Sequence, residues 1–296
     1  MAERAVILGT DWWSDCDDAV ALRLLARAHK AKQIKLLGVV INACMDCSVP
    51  SLDGFLQLEN VSGIPIGIDL EATDFYGVSS YQWRLAPFAR DYPDNAAAED
   101  GVRLYRRLLA EAQTPVELME IGFLQVLAGL LRSQGDDISP KTGMELVKEK
   151  VKKIWIMAGK WDEPKGAEHN FNNNLRSRAA GDYVCRCCPV PITFLGFEVG
   201  VDVITGGNLD KEDFLHQVLC DHGTPKGRCS WDPMLVLLAL TGDEETAGYR
   251  TVRGMAAVDP LTGNNTFTTG DTGLHRYVIK NLPDREYQAW INGIIA

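Results

Sequence analysis

Apolar residues gather in short runs separated by polar, turn-prone stretches. Ala5 to Leu8 and Ile34 to Ile41 (IKLLGVVI) are two such runs, and others occur at Val116 to Ile121, Ile154 to Ala158 and Ile192 to Phe197. Their length and β-branched content predict strands buried on both faces. Between them lie stretches with helical spacing: AVALRLLARA (Ala19 to Ala28), LDGFLQLENV, GVRLYRRLLAEA and GMELVKEKVKK. This alternation predicts an α/β fold, a largely parallel open sheet with helices on both faces. In such sheets ligands bind beyond the carboxyl ends of the strands, so the residues just after each apolar run matter most.

The segment after the first run is unusually acidic. GTDWWSDCDDA brings together Asp11, Asp15, Asp17 and Asp18, with no basic residue nearer in sequence than Arg4 or Arg23. Asp17 or Asp18 could cap the following helix, but one cap does not account for four acids. Carboxylates this dense repel one another unless they spread into water, take up protons or share a cation, and hard oxygen donors suit calcium or magnesium. No Gly and no closing Glu stand where an EF-hand needs them. A cation site at the end of the first strand is the expectation.

Charge and length narrow the picture further. With 40 acidic residues against 30 Lys and Arg, the net charge of −10 argues against a nucleic-acid surface. The 296 residues allow two domains, but the continuous alternation favours one large α/β domain over residues 1–296. No segment approaches the roughly 18 apolar residues of a membrane helix; Pro233 to Leu240 reads as a buried helix. The start, MAERAVILGTD, lacks the long apolar core of a signal peptide, so a cytoplasmic location is expected. The eight cysteines then read as free thiols. Neither Cys44-x-x-Cys47 with Cys185, Cys187 and Cys188, nor His216, Cys220, His222 and Cys229, has the usual spacing of a zinc site.

Five segments carry a family resemblance. VILGTDWWSDCDDAVAL resembles the N-terminal signature of the inosine-uridine type nucleoside hydrolases, in which a strand ends in Asp-x-Asp and a later Asp-Asp opens the next helix. VELMEIGFLQVLAGLL resembles their Gly-Pro-Leu-Thr-Asn segment, KEKVKKIWIMAGKW their Met-Gly-Gly strand, GAEHNF their Glu-x-Asn ribose motif, and SWDPMLVLLAL their terminal Asp-Pro helix. The segments follow the family's order from Val6 to Leu240, and FLGFEVG resembles a bacterial subgroup.

The resemblance implies calcium-dependent hydrolysis of the N-glycosidic bond of a ribonucleoside, in a homodimer or homotetramer. Asp11 takes the place of the acid that binds calcium and serves as general base. Asp18 and Asp232 match calcium carboxylates, and Gln125 the residue that offers calcium its backbone carbonyl. Asp17, Glu168 and Asn170 match residues that hold the ribose. A two-residue spacing in extended chain points Glu168 and Asn170 to one side, so His169 is expected to turn away into the core.

Departures from the pattern matter. Gly9 stands in place of the first Asp and Val126 in place of the Asn after Gln125; the acid loop is longer by two residues, leaving Asp15 as either an extra ligand or a solvated acid. Trp231 precedes Asp232, where many relatives carry a His that protonates the leaving base. A purine-preferring branch has Trp there and stacks the base on it, which suits the flat indole surface; a core tryptophan is the other reading. Tyr76, Tyr81 and Trp83, or Trp12 and Trp13, could supply a second ring. The alternatives are a ribose or nucleoside binder without turnover, or a hydrolase of pyrimidine or modified ribosides in which another group, such as His222 or His275, gives the proton. The turn-rich GNNTFTTGDTG suggests a hairpin near the site.

Overall fold

The computed structural model describes residues 3–75 and 77–296. Its strands are β1 (Arg4–Thr10), β2 (Ile34–Ile41), β3 (Ile66–Ile68), β4 (Glu99–Asp100), β5 (Val116–Glu120), β6 (Val151–Met157), β7 (Ile192–Leu195), β8 (Ile204–Thr205), β9 (Arg228–Cys229), β10 (Tyr249–Val258), β11 (Asn265–Thr269) and β12 (His275–Lys280). Ten of them form one sheet in the order β11-β10-β12-β7-β6-β5-β1-β2-β3-β4; β8 and β9 make a separate two-stranded ladder. Pairing is parallel from β12 across to β4, and only β10 runs antiparallel to its two neighbours, β11 and β12.

Successive residues of β1 face opposite sides of the sheet. Val6 and Leu8 join the core formed with the helices Asp17–Lys30 and Trp231–Thr241, while Ala5 and Ile7 join the core under the helices Gly101–Glu111, Gln125–Arg132 and Leu175–Cys187. Helices therefore cover both faces, which is why the central strands are apolar throughout rather than alternating. The apolar stretch at residues 233–240 is the expected buried helix, with Asp232 to Ala239 buried without interruption.

Two expected boundaries shift. GMELVKEKVKK does not stay helical: a capping box between Thr142 and Glu145 starts the helix, and it stops at Lys150. The following VKKIWIM is drawn into the sheet between β5 and β7, where ladder hydrogen bonds outweigh local helix preference. Strand β7 likewise ends at Leu195, because Phe197–Gly200 turns into a short helix. The segment GNNTFTTGDTG supplies β11, paired antiparallel with β10 as a hairpin.

Candidate active site

Strand β1 ends at Thr10, and the acid loop begins at the carboxyl edge of the sheet. Trp12 adopts a positive φ of 44°, a conformation that bulky residues rarely accept. Its indole holds the turn in place. It is fully buried, packs edge-on against Phe55 and Tyr81 with centroids 5.5 Å away in each case, and donates from Nε1 to Ser51 Oγ at 2.8 Å. Trp12 and Tyr81 are thus core residues and not base-stacking rings. Trp83 lies on the outside of the molecule, away from the acids, and Tyr76 lies outside the described residues.

Four carboxylates converge beyond this turn. Asp17 and Asp18 occupy the first turn of the helix Asp17–Lys30, and Asp232 the first turn of the helix Trp231–Thr241. Neither Asp17 nor Asp18 is the cap; Cys16 holds that position without a side-chain cap bond. Oxygens of Asp17, Asp18 and Asp232 lie within 4.8 Å of one another. Asp17 accepts from the backbone N–H of Asp232 at 3.1 Å, and Asp18 accepts from the Thr10 hydroxyl and, at 3.3 Å, from the Trp12 N–H.

Burial and mutual repulsion dominate the electrostatics of this group. Asp11, Asp17 and Asp232 are held well above the ordinary carboxylate range, first by burial and then by the charge of neighbouring acids, Asp18 for Asp11, Asp15 and Asp18 for Asp17, and Asp17 and Asp18 for Asp232. Burial also raises Asp18, to about 6. The two helix N-termini supply partial positive charge, and no Lys or Arg bonds to Asp11, Asp17, Asp18 or Asp232 among the described residues. Buried oxygen donors short of positive charge fit a hard divalent cation.

These residues line a cavity of about 300 Å³ together with Trp13, Ser14, Asp15, Ile121, Met157, Glu168, His169, Asn170, Phe197, Arg228 and Trp231. Of the positions singled out by sequence, Asp11, Asp17, Asp18, Glu168, Asn170, Trp231 and Asp232 thus meet in one place. Gln125 does not line the cavity. It opens the helix Gln125–Arg132, and its side-chain amide donates to the Asn42 carbonyl.

Glu168 and Asn170 are anchored by backbone. Glu168 accepts from Gly159 N–H at 2.9 Å and from Asn170 N–H at 2.8 Å, and Asn170 donates to the Met157 carbonyl at 2.9 Å. Gly159, at φ 83°, makes the left-handed turn after β6 that aims its N–H at Glu168. Burial raises Glu168 to about 7. The hairpin strand β11 supports this corner from outside, since Asn265 Nδ2 donates to the Lys160 carbonyl at 2.8 Å.

Three expectations are corrected. His169 does not turn into the core: the chain leaves the extended conformation at Glu168 and enters the short helix His169–Asn172, so residues 168, 169 and 170 all reach the cavity. Asp15 is not a loose solvated acid. Arg228 donates to it from Nε at 2.9 Å and from Nη2 at 2.6 Å, and Cys16 N–H adds a bond at 2.7 Å. His275 is fully buried within the sheet, where its Nδ1 accepts from Ala256 N–H at 3.0 Å, and His222 sits beside Asp15 and Thr224 without lining the cavity.

Two aromatic pairs stand on the cavity wall. Trp13 stacks on His169 with centroids 5.9 Å apart and planes at 15°, and Trp231 stacks on Phe197 at 5.3 Å and 27°. Trp231 Nε1 donates to the Phe197 carbonyl at 2.8 Å, and the Arg228 guanidinium lies 5.1 Å from the Trp231 ring centroid. Trp231 is only partly buried, so it is a wall residue rather than a core tryptophan.

No family model and no curated protein sequence matches the chain. Solved structures do. The inosine-uridine preferring nucleoside hydrolase from Bacillus anthracis superposes with a TM-score of 0.69 at 15% identity over 99% of each chain. This chain has the nucleoside hydrolase fold. The purine-preferring ribonucleoside hydrolase from Gardnerella vaginalis gives 0.68 at 15% identity, again over 99% of each chain. The type III effector protein XopQ, solved with adenosine diphosphate ribose, gives 0.69 at 14% identity, covering 100% of this chain and 94% of its own. The nucleoside hydrolase fold is therefore shared along the whole chain, including the C-terminal hairpin and last helix.

Proposed function

We propose that the protein hydrolyses the N-glycosidic bond of ribonucleosides with a calcium ion held by Asp11, Asp18 and Asp232. The observation that carries this reading is the set of buried carboxylates that bond to no Lys or Arg among the described residues, opening on the cavity that also receives Glu168 and Asn170. When bound, calcium supplies positive charge that orders a water and the ribose 2′- and 3′-hydroxyls and lowers the water's pKa.

The chain's own residues divide the remaining work. Asp11 takes the proton of the attacking water as general base, a contribution of roughly 10²- to 10⁴-fold. Asp17, Glu168 and Asn170 hold the sugar hydroxyls while positive charge grows at the anomeric carbon, as carboxylates do around other oxocarbenium-like centres. Trp231, backed by Phe197, offers a flat surface that favours a purine. Inosine, guanosine and uridine, each with calcium and with chelator, test the reading: calcium-dependent release of free base and ribose, faster from the purines, is expected. No turnover of any nucleoside by the calcium-loaded protein contradicts it.

A second reading is binding of a ribosyl ligand without turnover. Gly9, in place of an acid at the end of β1, is the observation that favours it, together with likeness to an effector solved with adenosine diphosphate ribose. Asp11→Asn separates the two, since a binder has no hydrolysis to lose.

A further inference from the structure

The residue expected to protonate the leaving base is replaced by Trp231, which has no proton to give at neutral pH. We propose that His169 delivers that proton instead, which makes it a catalytic residue for the hydrolysis proposed above and rests on that reading. Four observations carry the assignment. His169 lines the same cavity as Asp11, Glu168 and Asn170. Its ring is held flat against Trp13. Its Nε2 lies 2.9 Å from the Asn173 side-chain amide, and Asn173 Oδ1 is buried with no donor as the amide is placed. No protein group hydrogen-bonds Nδ1 among the described residues.

The amide orientation decides what the ring can do. When the ring is protonated, Nε2–H needs an acceptor, and turning the Asn173 amide over brings its otherwise unpartnered oxygen against the ring. Asn173 Oδ1 then accepts from Nε2–H, which fixes that proton and leaves Nδ1 as the nitrogen that gains and loses one. Burial lowers His169 from the ordinary histidine value, and the charge of Asp15 works against that. The other cavity groups are committed elsewhere: each oxygen of Glu168 accepts a backbone N–H, and Arg228 is fastened to Asp15.

In the proposed step the C1′–N bond breaks and its electron pair passes to the base nitrogen. The proton on Nδ1 goes to the base, which leaves neutral, while the attacking water bonds to C1′ and gives its proton to Asp11. Exchange with solvent restores the proton on His169 and removes the one on Asp11, so a nucleoside and water become ribose and base.

The test compares two leaving groups. Inosine needs a proton on its base, whereas p-nitrophenyl β-D-ribofuranoside expels a stable anion. His169→Gln and His169→Phe, the second keeping a ring against Trp13, are expected to lower kcat on inosine by roughly 10²- to 10⁴-fold and to leave the nitrophenyl riboside rate nearly intact. Equal losses on both substrates, or an unchanged inosine rate in folded variants, overturns the role of His169 while the hydrolase reading stands. Cleavage of neither substrate by the calcium-loaded wild type overturns both.

Discussion

The carboxylate of Glu120 fills the space that a side chain on Gly9 would need. The two residues are register partners at the ends of β5 and β1; a β-carbon on Gly9 would overlap Glu120 Oε2 and come within 2.8 Å of the Tyr105 hydroxyl. Glu120 is buried and accepts from that hydroxyl at 2.6 Å. Gly9→Asp is expected to destabilise the fold by at least the ~1–3 kcal/mol of an overpacked core, and adding Glu120→Gly should recover part of the loss. Urea denaturation of the single and double variants measures this; a double variant no more stable than Gly9→Asp contradicts the steric account.

Among the described residues Arg228 is the one Lys or Arg lining the cavity, and Asp15 neutralises it. Removing either partner changes the charge that a divalent cation meets. Arg228→Met leaves Asp15 uncompensated and should tighten calcium binding, whereas Asp15→Asn frees the guanidinium and should weaken it. Both side chains are partly exposed, at 27% and 33%, so stability should change by about 1 kcal/mol or less. Calorimetric titration with calcium reads the effect, and a shift of the same sign in both variants would sink this account.

Calcium stabilisation should grow with pH. The cluster acids are raised in the folded protein, Asp18 to about 6 from an ordinary 3.8. A carboxyl raised on folding contributes stability that is complete below its unfolded pKa and is lost as pH rises through the folded one. The calcium-free protein therefore loses this contribution as pH climbs through about 6, where a bound cation would take the protons' place. The rise in Tm on adding calcium, compared with chelator, should be larger at about pH 7 than at about pH 5. Equal rises at both argue that calcium binds elsewhere.

The sheet was legible because its central strands are buried on both faces and so read as unbroken apolar runs. Strands β3 and β4 are too short to leave such a mark, and β10 alternates buried and exposed residues because part of it faces solvent. The acid cluster was legible because Asp11, Asp17 and Asp18 are close in sequence. Arg228 was not, since it reaches Asp15 across 213 residues and nothing in the local sequence records that pairing. His169 was misplaced for a definite reason: a two-residue period holds for extended chain, and the backbone turns helical at that residue.

In the proposed reaction Asp11 acts as general base in a calcium-loaded ribose site. The most direct measurement is release of hypoxanthine from inosine by wild type and by Asp11→Asn, each at saturating calcium with bound calcium determined in parallel. The account predicts calcium-dependent release by the wild type and a loss of roughly 10²-fold or more in the variant. Release by Asp11→Asn at the wild-type rate, or none by the calcium-loaded wild type, would contradict it.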